Sequence, residues 1–357
     1  MAARLTAQGR AGYNRSFRGG PQITHGWGRR ALLSAPDGST SLPLNRRLMK
    51  RFHAVPASEE RYGLGEGPFW DGDRNRVLWV DINAGAVHSG TLSAQRVTHD
   101  TMLRLPETVG AVVASRDGEL LVAGARRLYN VSPEGAVSGG SPILPEGIAS
   151  RLNDGGCDPA GRFLVGSLAL DDRAYEEVLV RVDADGQILV LDDDLGLSNG
   201  LAFSPRGDQL YTVDTRPGII WRRDYDAATG AVGRRRACLR LDGDKPDGLC
   251  VDDQGNLWIA MWGAGQVRCY APAGEQLAVV EVAAPNTTSV AFVGASLDTL
   301  LITTASEQLS DTQRTRYPDS GRLFTARVEV NGVRVPLWSG AGGAPHPMGP
   351  TMTPTGS

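Results

Sequence analysis

Residues 199–214 read NGLAFSPRGDQLYTVD, and this stretch shows the pattern that decides the fold. The apolar run LAFSP leads into the turn residues RGD, and QLYTVD then forms a second run rich in strand-favouring residues. An Asn-Gly dipeptide precedes the first run. Related copies of this dipeptide, strand, turn and strand begin at five other positions, namely Glu66, Val109, Asp154, Asp247 and, in degenerate form, Thr288.

The copies recur about every 45 residues, a period typical of propellers and other stacked arrays. Several are followed by a second hairpin pattern, such as VLVRVDADGQILVL at 178–191 and QVRCYAPAGEQLAVVEV at 266–282. Four strands in each of six copies predict an all-β, six-bladed β-propeller, whose closure hides the strand edges. We expect LFTARVEVNGVRVPLW at 323–338 to be the second hairpin of the last copy. We expect a segment near residues 50–55 to supply an outer strand that closes the ring.

Composition excludes several classes of function for this chain of 357 residues. A net charge of −3 gives no broad basic surface for nucleic acid, and no apolar run approaches the roughly 20 residues of a membrane helix. The four cysteines include no Cys-x-x-Cys pair, which predicts free thiols in a reducing compartment. The start of the chain has no apolar h-region. We therefore expect a cytoplasmic monomer or small homo-oligomer.

The two ends of the chain differ in composition from the repeats. Residues 1–50 are rich in arginine and nearly free of acids. They fit a mitochondrial transit peptide, but we favour a disordered or spurious extension upstream of a start at Met49. The propeller is predicted to span 51–339. The Gly-, Pro- and Thr-rich tail at 340–357 is predicted to be disordered.

The residue that opens each copy is the main candidate for function. In a propeller the first strand of each blade lines the central channel, so Glu66, Asp154, Asn199 and Asp247 are expected to converge near the axis. Asx-Gly pairs also occur as simple turn dipeptides, but each copy has its own turn residues further along. Carboxylates crowded together repel one another unless a cation neutralises them. A set of oxygen ligands without Cys or His suits a single hard divalent ion such as Ca²⁺, Mg²⁺ or Mn²⁺. Zn²⁺ is a further candidate because it also accepts carboxylates.

Two further aspartates and two tryptophans have expected structural roles. Asp81 and Asp214 end the second strands LWVD and LYTVD, where we expect them to accept hydrogen bonds that cap the blades. Trp79 and Trp258 are expected in the core between blades. The five histidines are scattered and none opens a copy, so a histidine-based catalytic triad is not expected.

The chain resembles the family that includes gluconolactonase, regucalcin (the senescence marker protein) and the luciferin-regenerating enzyme. The resemblance runs from about residue 61 to 338 and lies in long motifs in the family's order. These are LGEGPFWD at 64–71, RLNDGGCDPAGRFLVGS at 151–167, LSNGLAFSP at 197–205 and KPDGLCVDDQGNLWIAMWGAGQV at 245–267. A weaker match is SGRLF at 320–324.

The resemblance implies that Glu66, Asn199 and Asp247 bind the metal and that Asp247 is also the general base. These are three of the four positions that the repeat selects independently. We expect Asp154, the fourth position, to orient Asn153 or the loop backbone rather than to bind the metal.

The resemblance also implies substrate contacts from Arg151 and Asn153, and a third from Asp171. The surrounding SLALDDRAYEE departs from the family's usual Gly-Thr-Met-x-x-Glu pattern, which leaves the role of Asp171 open. The loops at 167–178 and 303–319 contain no motif that identifies a particular sugar.

The function implied is a metal-dependent hydrolase that opens a gluconolactone-like sugar lactone to the aldonic acid. The metal, Ca²⁺ or Zn²⁺ with Mg²⁺ or Mn²⁺ as alternatives, would polarise the carbonyl. Alternatives are an arabinonolactone-type aldonolactonase, an organophosphate hydrolase and a non-enzymatic calcium-binding regulator. Arg151 and Asn153 favour an enzyme, because an ion binder needs no sugar-directed donors beside its metal.

Overall fold

The strands of this chain form six separate sheets, as seen in a computed structural model that describes residues 49–340 apart from 172 and 174. The predictions for 1–48 and 341–357 lie outside the described residues. The inner strands of the six sheets contact one another in ring order, the last against the first. The predicted all-β, six-bladed β-propeller is therefore confirmed.

The blades follow one another along the chain, and within each blade the strands run antiparallel from the channel outward. Two short strands come first, β1 (Lys50–His53) and β2 (Val55–Pro56). Blade 1 contains β3 (Gly65–Asp71), β4 (Arg76–Asp81), β5 (Ala86–Ser93) and β6 (Arg96–Arg104). Blade 2 contains β7 (Ala111–Ala114), β8 (Leu120–Ala123), β9 (Arg127–Val131) and β10 (Val137–Pro142). Blade 3 contains β11 (Ser150–Cys157), β12 (Phe163–Ala169), β13 (Glu177–Val182) and β14 (Ile188–Leu195).

The second half of the ring repeats this order. Blade 4 contains β15 (Ser198–Phe203), β16 (Gln209–Asp214), β17 (Ile219–Asp224) and β18 (Arg236–Arg240). Blade 5 contains β19 (Pro246–Val251), β20 (Leu257–Met261), β21 (Gln266–Tyr270) and β22 (Gln276–Glu281). Blade 6 contains β23 (Thr287–Val293), β24 (Thr299–Thr304) and β25 (Phe324–Arg327), and the helix α1 (Asp311–Arg316) lies between β24 and β25. None of the helices in the described residues has the length and apolar character needed to cross a bilayer.

The ring is closed by the start of the described chain, as predicted. β2 pairs antiparallel with β25 and is the fourth strand of blade 6, so this blade joins an early strand to three late ones. β1 pairs in parallel with β22 and adds a fifth strand to blade 5. Both ends of the propeller are thereby held in neighbouring blades.

The predicted second hairpin of the last copy is wrong. β25 forms, but residues 329–339 leave the blade and run across the far end of the channel. Here Gly332 donates to Leu297 O at 2.7 Å and Trp338 donates to Ala114 O at 2.9 Å. The segment cannot form the outer strand because β2 occupies that position. We call residues 329–339 the strap.

The structural roles expected for the tryptophans and cysteines agree with the structure. Trp79 and Trp258 are buried between blades. All four cysteines are free thiols, two of them buried and two partly buried.

Asp81 and Asp214 cap loops, as predicted. Asp81 accepts hydrogen bonds from the Gly63 and Leu64 amides at 2.9 and 3.2 Å. Asp214 accepts from the amides that lead into β15, including Leu197 N at 3.0 Å. Each aspartate therefore fixes the chain just before an inner strand, and these inner strands carry Glu66 and Asn199.

Candidate active site

The residues that open the repeats lie at irregularities in the inner strands. The pairing register shifts between Glu66 and Phe69 in β3, and corresponding shifts occur in β11, β15 and β19 next to Asp154, Asn199 and Asp247. A bulge bends a strand and redirects its side chains. The same interruption of backbone pairing occurs in four blades and redirects these four side chains at one end of the channel.

At several entry positions the glycine has a steric reason. A Cβ at Gly200 would lie 2.5 Å from Leu249 N and 2.6 Å from Asp247 O, both in the next blade. A Cβ at Gly110 would lie 2.4 Å from Asn153 O. At Gly110 and Gly200 the dipeptide therefore reflects the close approach of neighbouring inner strands, whereas Gly67 adopts a positive φ of 53°.

Three carboxyl groups converge at this end of the channel. Glu66 and Asp247 are buried and Asp154 is partly buried. Burial, and then the nearby charge of Asp154, raise the pKa of Glu66 to about 8. Burial, and then Glu66 and Asp154, hold the pKa of Asp247 well above its usual range. Burial raises the pKa of Asp154 to about 6. The groups are thus close enough to disfavour one another's ionisation.

A chain of hydrogen bonds joins the predicted donors to the metal-ligand candidates. Arg151 Nη1 donates to Asn153 Oδ1 at 2.8 Å, and Asn153 Nδ2 approaches Asn199 Oδ1 at 3.3 Å. Asn199 Nδ2 donates to Thr215 Oγ1 at 3.1 Å, and Thr215 donates to Pro246 O at 2.7 Å. This chain fixes the amide of Asn199 with its nitrogen on Thr215 and its oxygen toward Asn153.

The donor set fits a hard divalent cation. Asp247 Oδ1 is buried and has no hydrogen-bond partner among the described residues, a costly state for a carboxylate oxygen that a cation would relieve. Glu66 uses only Oε2, which accepts from Gly67 N at 3.0 Å. Within 49–340, no three His, Cys, Asp or Glu side chains are placed to hold a metal. An ion here would therefore need the amide oxygen of Asn199 beside Glu66 and Asp247.

Asp171 lies apart from this cluster. Its exposed carboxylate accepts from Arg173 Nε at 3.0 Å and from the Arg173 amide at 3.2 Å. Among the described residues it forms no hydrogen bond with Arg151 or Asn153, and its role as a substrate contact stays a prediction.

The channel continues beyond Asp154 as a mainly apolar cavity of about 180 Å³. Phe69, Phe203 and Phe292 are among its lining residues, and strap residues 333–336 line its far end. Because the strap runs across that end, we take the opposite end, at Arg151, as the mouth.

Two functional candidates had no motif to reveal them. Thr215 orients Asn199 but follows a strand outside the recurring dipeptide. Glu307 lies in the loop after β24, where its carboxylate accepts a hydrogen bond from Asn83 Nδ2. Only the folded ring places it near the inner strands of blade 1.

Comparison with known proteins agrees with this geometry. Residues 64–306 match the family model described as the SMP-30/gluconolactonase/LRE-like region. The chain belongs to this family. The matched range includes all six predicted site residues, and the family resemblance predicted from the sequence is confirmed.

Relatives in the family include named lactonases. The 6-deoxy-6-sulfogluconolactonase of Pseudomonas putida is 34% identical over 285 residues, which are 78% of this chain and 95% of the relative. The pentonolactonase of Haloferax volcanii is 33% identical over 244 residues, which are 68% of this chain and 81% of the relative. Among solved structures, the calcium-binding protein regucalcin from Agrobacterium tumefaciens superposes with a TM-score of 0.76 at 29% identity. This match covers 81% of this chain and 98% of that one.

Proposed function

We propose that this protein is a metal-dependent lactonase that hydrolyses a sugar lactone to the aldonic acid. Water adds to the lactone carbonyl carbon, the ring C–O bond breaks, and the products are a carboxylate, a new hydroxyl group and one proton. The observation that carries the proposal is the buried, unpartnered oxygen of Asp247 beside Glu66 and Asn199. The lactonase names of the relatives support the choice of substrate class.

Glu66, Asn199 and Asp247 would hold the metal. When bound, the metal supplies Lewis acidity toward the carbonyl oxygen. A dication would also balance the cluster, where Arg151 is the one cation whose charge acts on both Glu66 and Asp247 within the described residues. The regucalcin relative is described as calcium-binding. Ca²⁺ heads the candidates, followed by Zn²⁺, Mg²⁺ and Mn²⁺.

The side chains of the cluster divide the remaining work. Asp247 would also accept the proton of the attacking water, as the family resemblance implies for this position. Arg151 donates hydrogen bonds to the lactone oxygens. Asn153 Nδ2 already donates to Ser198 O at 3.0 Å, so it would donate to the lactone in place of its 3.3 Å contact with Asn199 Oδ1. Because Arg151 and Asn153 are already bonded to each other, little ordering is required when the lactone enters.

The test measures hydrolysis of a panel of lactones by titrating the released proton in a pH-stat. Each reaction is run with each of the four metals and with EDTA. The panel includes glucono-1,5-lactone, an arabinonolactone and an organophosphate ester. We expect turnover of a sugar lactone that EDTA abolishes and added metal restores. Asp247→Asn should remove activity, whereas Asp242→Asn, the same change at an exposed position before β19, should not.

Three results would contradict the proposal. Full activity in Asp247→Asn, or activity that survives EDTA dialysis, would refute the mechanism. Metal binding by calorimetry without hydrolysis of any panel member would instead favour the calcium-binding regulator.

A further inference from the structure

Glu307 is a carboxylate at the mouth of the channel that the proposed mechanism does not use. Its backbone N–H donates to Gly63 O at 3.1 Å, three residues before Glu66. Its carbonyl accepts from Asn286 Nδ2 at 3.1 Å, and its carboxylate accepts from Asn83. Contacts from blades 1 and 6 therefore fix both its backbone and its side chain.

Glu307 and Arg151 face each other across the mouth. Arg151 is the second residue of β11 in blade 3 and Glu307 follows β24 in blade 6, and in a ring of six these blades are opposite. The charges of Glu66 and then Glu307 oppose the effect of burial, which lowers the pKa of Arg151 to about 10. In the described part of the chain neither Arg151 nor Glu307 forms a salt bridge. A ligand entering the mouth therefore passes between an unpaired guanidinium and an unpaired carboxylate.

The two groups offer complementary hydrogen bonding. Arg151 can only donate and an ionised Glu307 can only accept. Carbonyl and ring oxygens suit the first group, and sugar hydroxyls suit the second. Asn83 donates one hydrogen bond to this carboxylate, and because a carboxylate can accept several hydrogen bonds, Glu307 can also accept one from a hydroxyl group.

We propose that Glu307 accepts a hydrogen bond from a hydroxyl of the bound lactone and selects lactones that are uncharged at the end remote from the ester. The inference rests on the proposed lactonase function and deepens it. A phosphate, sulfonate or carboxylate at that end would be repelled by the negative charge of Glu307, and as an anion it would offer Glu307 no hydroxyl proton to accept. Repulsion between two negative charges disfavours binding of an anionic lactone, whereas the hydroxyl of an uncharged lactone forms a charge-assisted hydrogen bond with Glu307.

A purely structural role for Glu307 makes a different prediction. If Glu307 only joined blade 6 to blade 1 through Asn83, its replacement would lower stability and affect all substrates alike. The distinguishing quantity is therefore the ratio of kcat/KM for an uncharged and an anionic lactone.

The experiment compares glucono-1,5-lactone with the same lactone phosphorylated at C6. The proteins are the full chain, Glu307→Gln and a control, Glu146→Gln, which removes an exposed carboxylate before β11 at the same end of the channel. We expect Glu307→Gln to lower kcat/KM for the uncharged lactone about tenfold, mainly through KM. It should raise kcat/KM for the phosphorylated lactone at least threefold, while the control changes neither. An unchanged ratio in Glu307→Gln would overturn the inference.

Measurements on the unmodified protein keep the inference testable if Glu307→Gln does not fold. We expect the full chain to prefer the uncharged lactone and to gain activity on the phosphorylated lactone as salt rises and screens the repulsion. A preference for the phosphorylated lactone would overturn the role of Glu307 while leaving the lactonase proposal intact. Hydrolysis of neither lactone, nor of any in the panel, would refute both.

Discussion

Removing the charge of Glu66 should stabilise the metal-free protein while abolishing its activity. The side chain is buried, and burial together with the charge of Asp154 raises its pKa from 4.5 to about 8. A carboxylate in this position opposes folding unless a cation accompanies it. The variant Glu66→Gln keeps the shape of the side chain and removes the ionisation.

The size of the effect follows from the two pKa values. Below pH 4.5 both the folded and the unfolded carboxyl are protonated, so this group adds no pH dependence there. Between pH 4.5 and about 8 the unfolded carboxyl releases its proton and the folded one retains it, so stability falls by about 1.4 kcal/mol per pH unit. The whole window amounts to about 5 kcal/mol. Water that enters the open mouth screens part of this cost, and we expect about 2–3 kcal/mol at pH 8.

Urea unfolding in EDTA at pH 5 and pH 8 measures this difference. Glu66→Gln should match the unmodified protein at pH 5 and exceed its free energy of unfolding at pH 8. The control Glu146→Gln, which removes an exposed carboxylate, should have the same free energy of unfolding as the unmodified protein at both pH values. Added metal should stabilise the unmodified protein and leave Glu66→Gln unaffected. Superimposable curves for the two proteins at pH 8 would refute the burial argument.

Three further predictions concern the scaffold. His88 stacks on Trp79, and burial followed by the charge of His99 lowers its pKa to about 4. Stability should therefore fall by up to about 3 kcal/mol as pH decreases from 6.5 to 4, and His88→Phe should flatten this dependence in thermal melts across that range. Gly200→Ala should lower the free energy of unfolding by about 2–4 kcal/mol, because the new Cβ would meet the next inner strand; an unchanged urea midpoint would contradict this. Asp214→Ala should cost about 2–3 kcal/mol by removing the acceptor of two amides, and Asp214→Asn should recover part of that loss in the same assay.

The parts of the fold that the sequence predicts correctly are those that repeat. The hairpins expected within 178–191 and 266–282 form and close at tight turns, with Gly186 N donating to Asp183 O at 2.9 Å and Gly274 N to Ala271 O at 2.8 Å. The channel-entry residues were found for the same reason, because Glu66 has equivalents in other copies. Repetition turns a weak local pattern into strong evidence, since chance rarely reproduces it at a regular period.

The parts that sequence reasoning missed depend on contacts between distant segments. Residues 323–338 alternate like a hairpin, yet β2 takes the outer position in blade 6. No local feature of the sequence shows whether β2 or the end of 323–338 forms the outer strand of blade 6, because both segments are short and strand-like. Glu307 was missed for a related reason, since its neighbours Gly63 and Asn83 belong to blade 1. Only ring closure brings these residues together.

The same backbone geometry explains both the construction of the site and its cost. At Gly200 the absence of a Cβ allows two inner strands to approach closely, and the adjacent register shift redirects the preceding side chain toward the axis. Every blade that uses this geometry with an acidic residue adds a charge to the same small space. Three such blades provide Glu66, Asp154 and Asp247, and a fourth provides the neutral amide of Asn199, which supplies oxygen without further charge. Replacing Asn199 by aspartate would add a further carboxylate to this cluster, so the amide limits the repulsion that a single dication must offset.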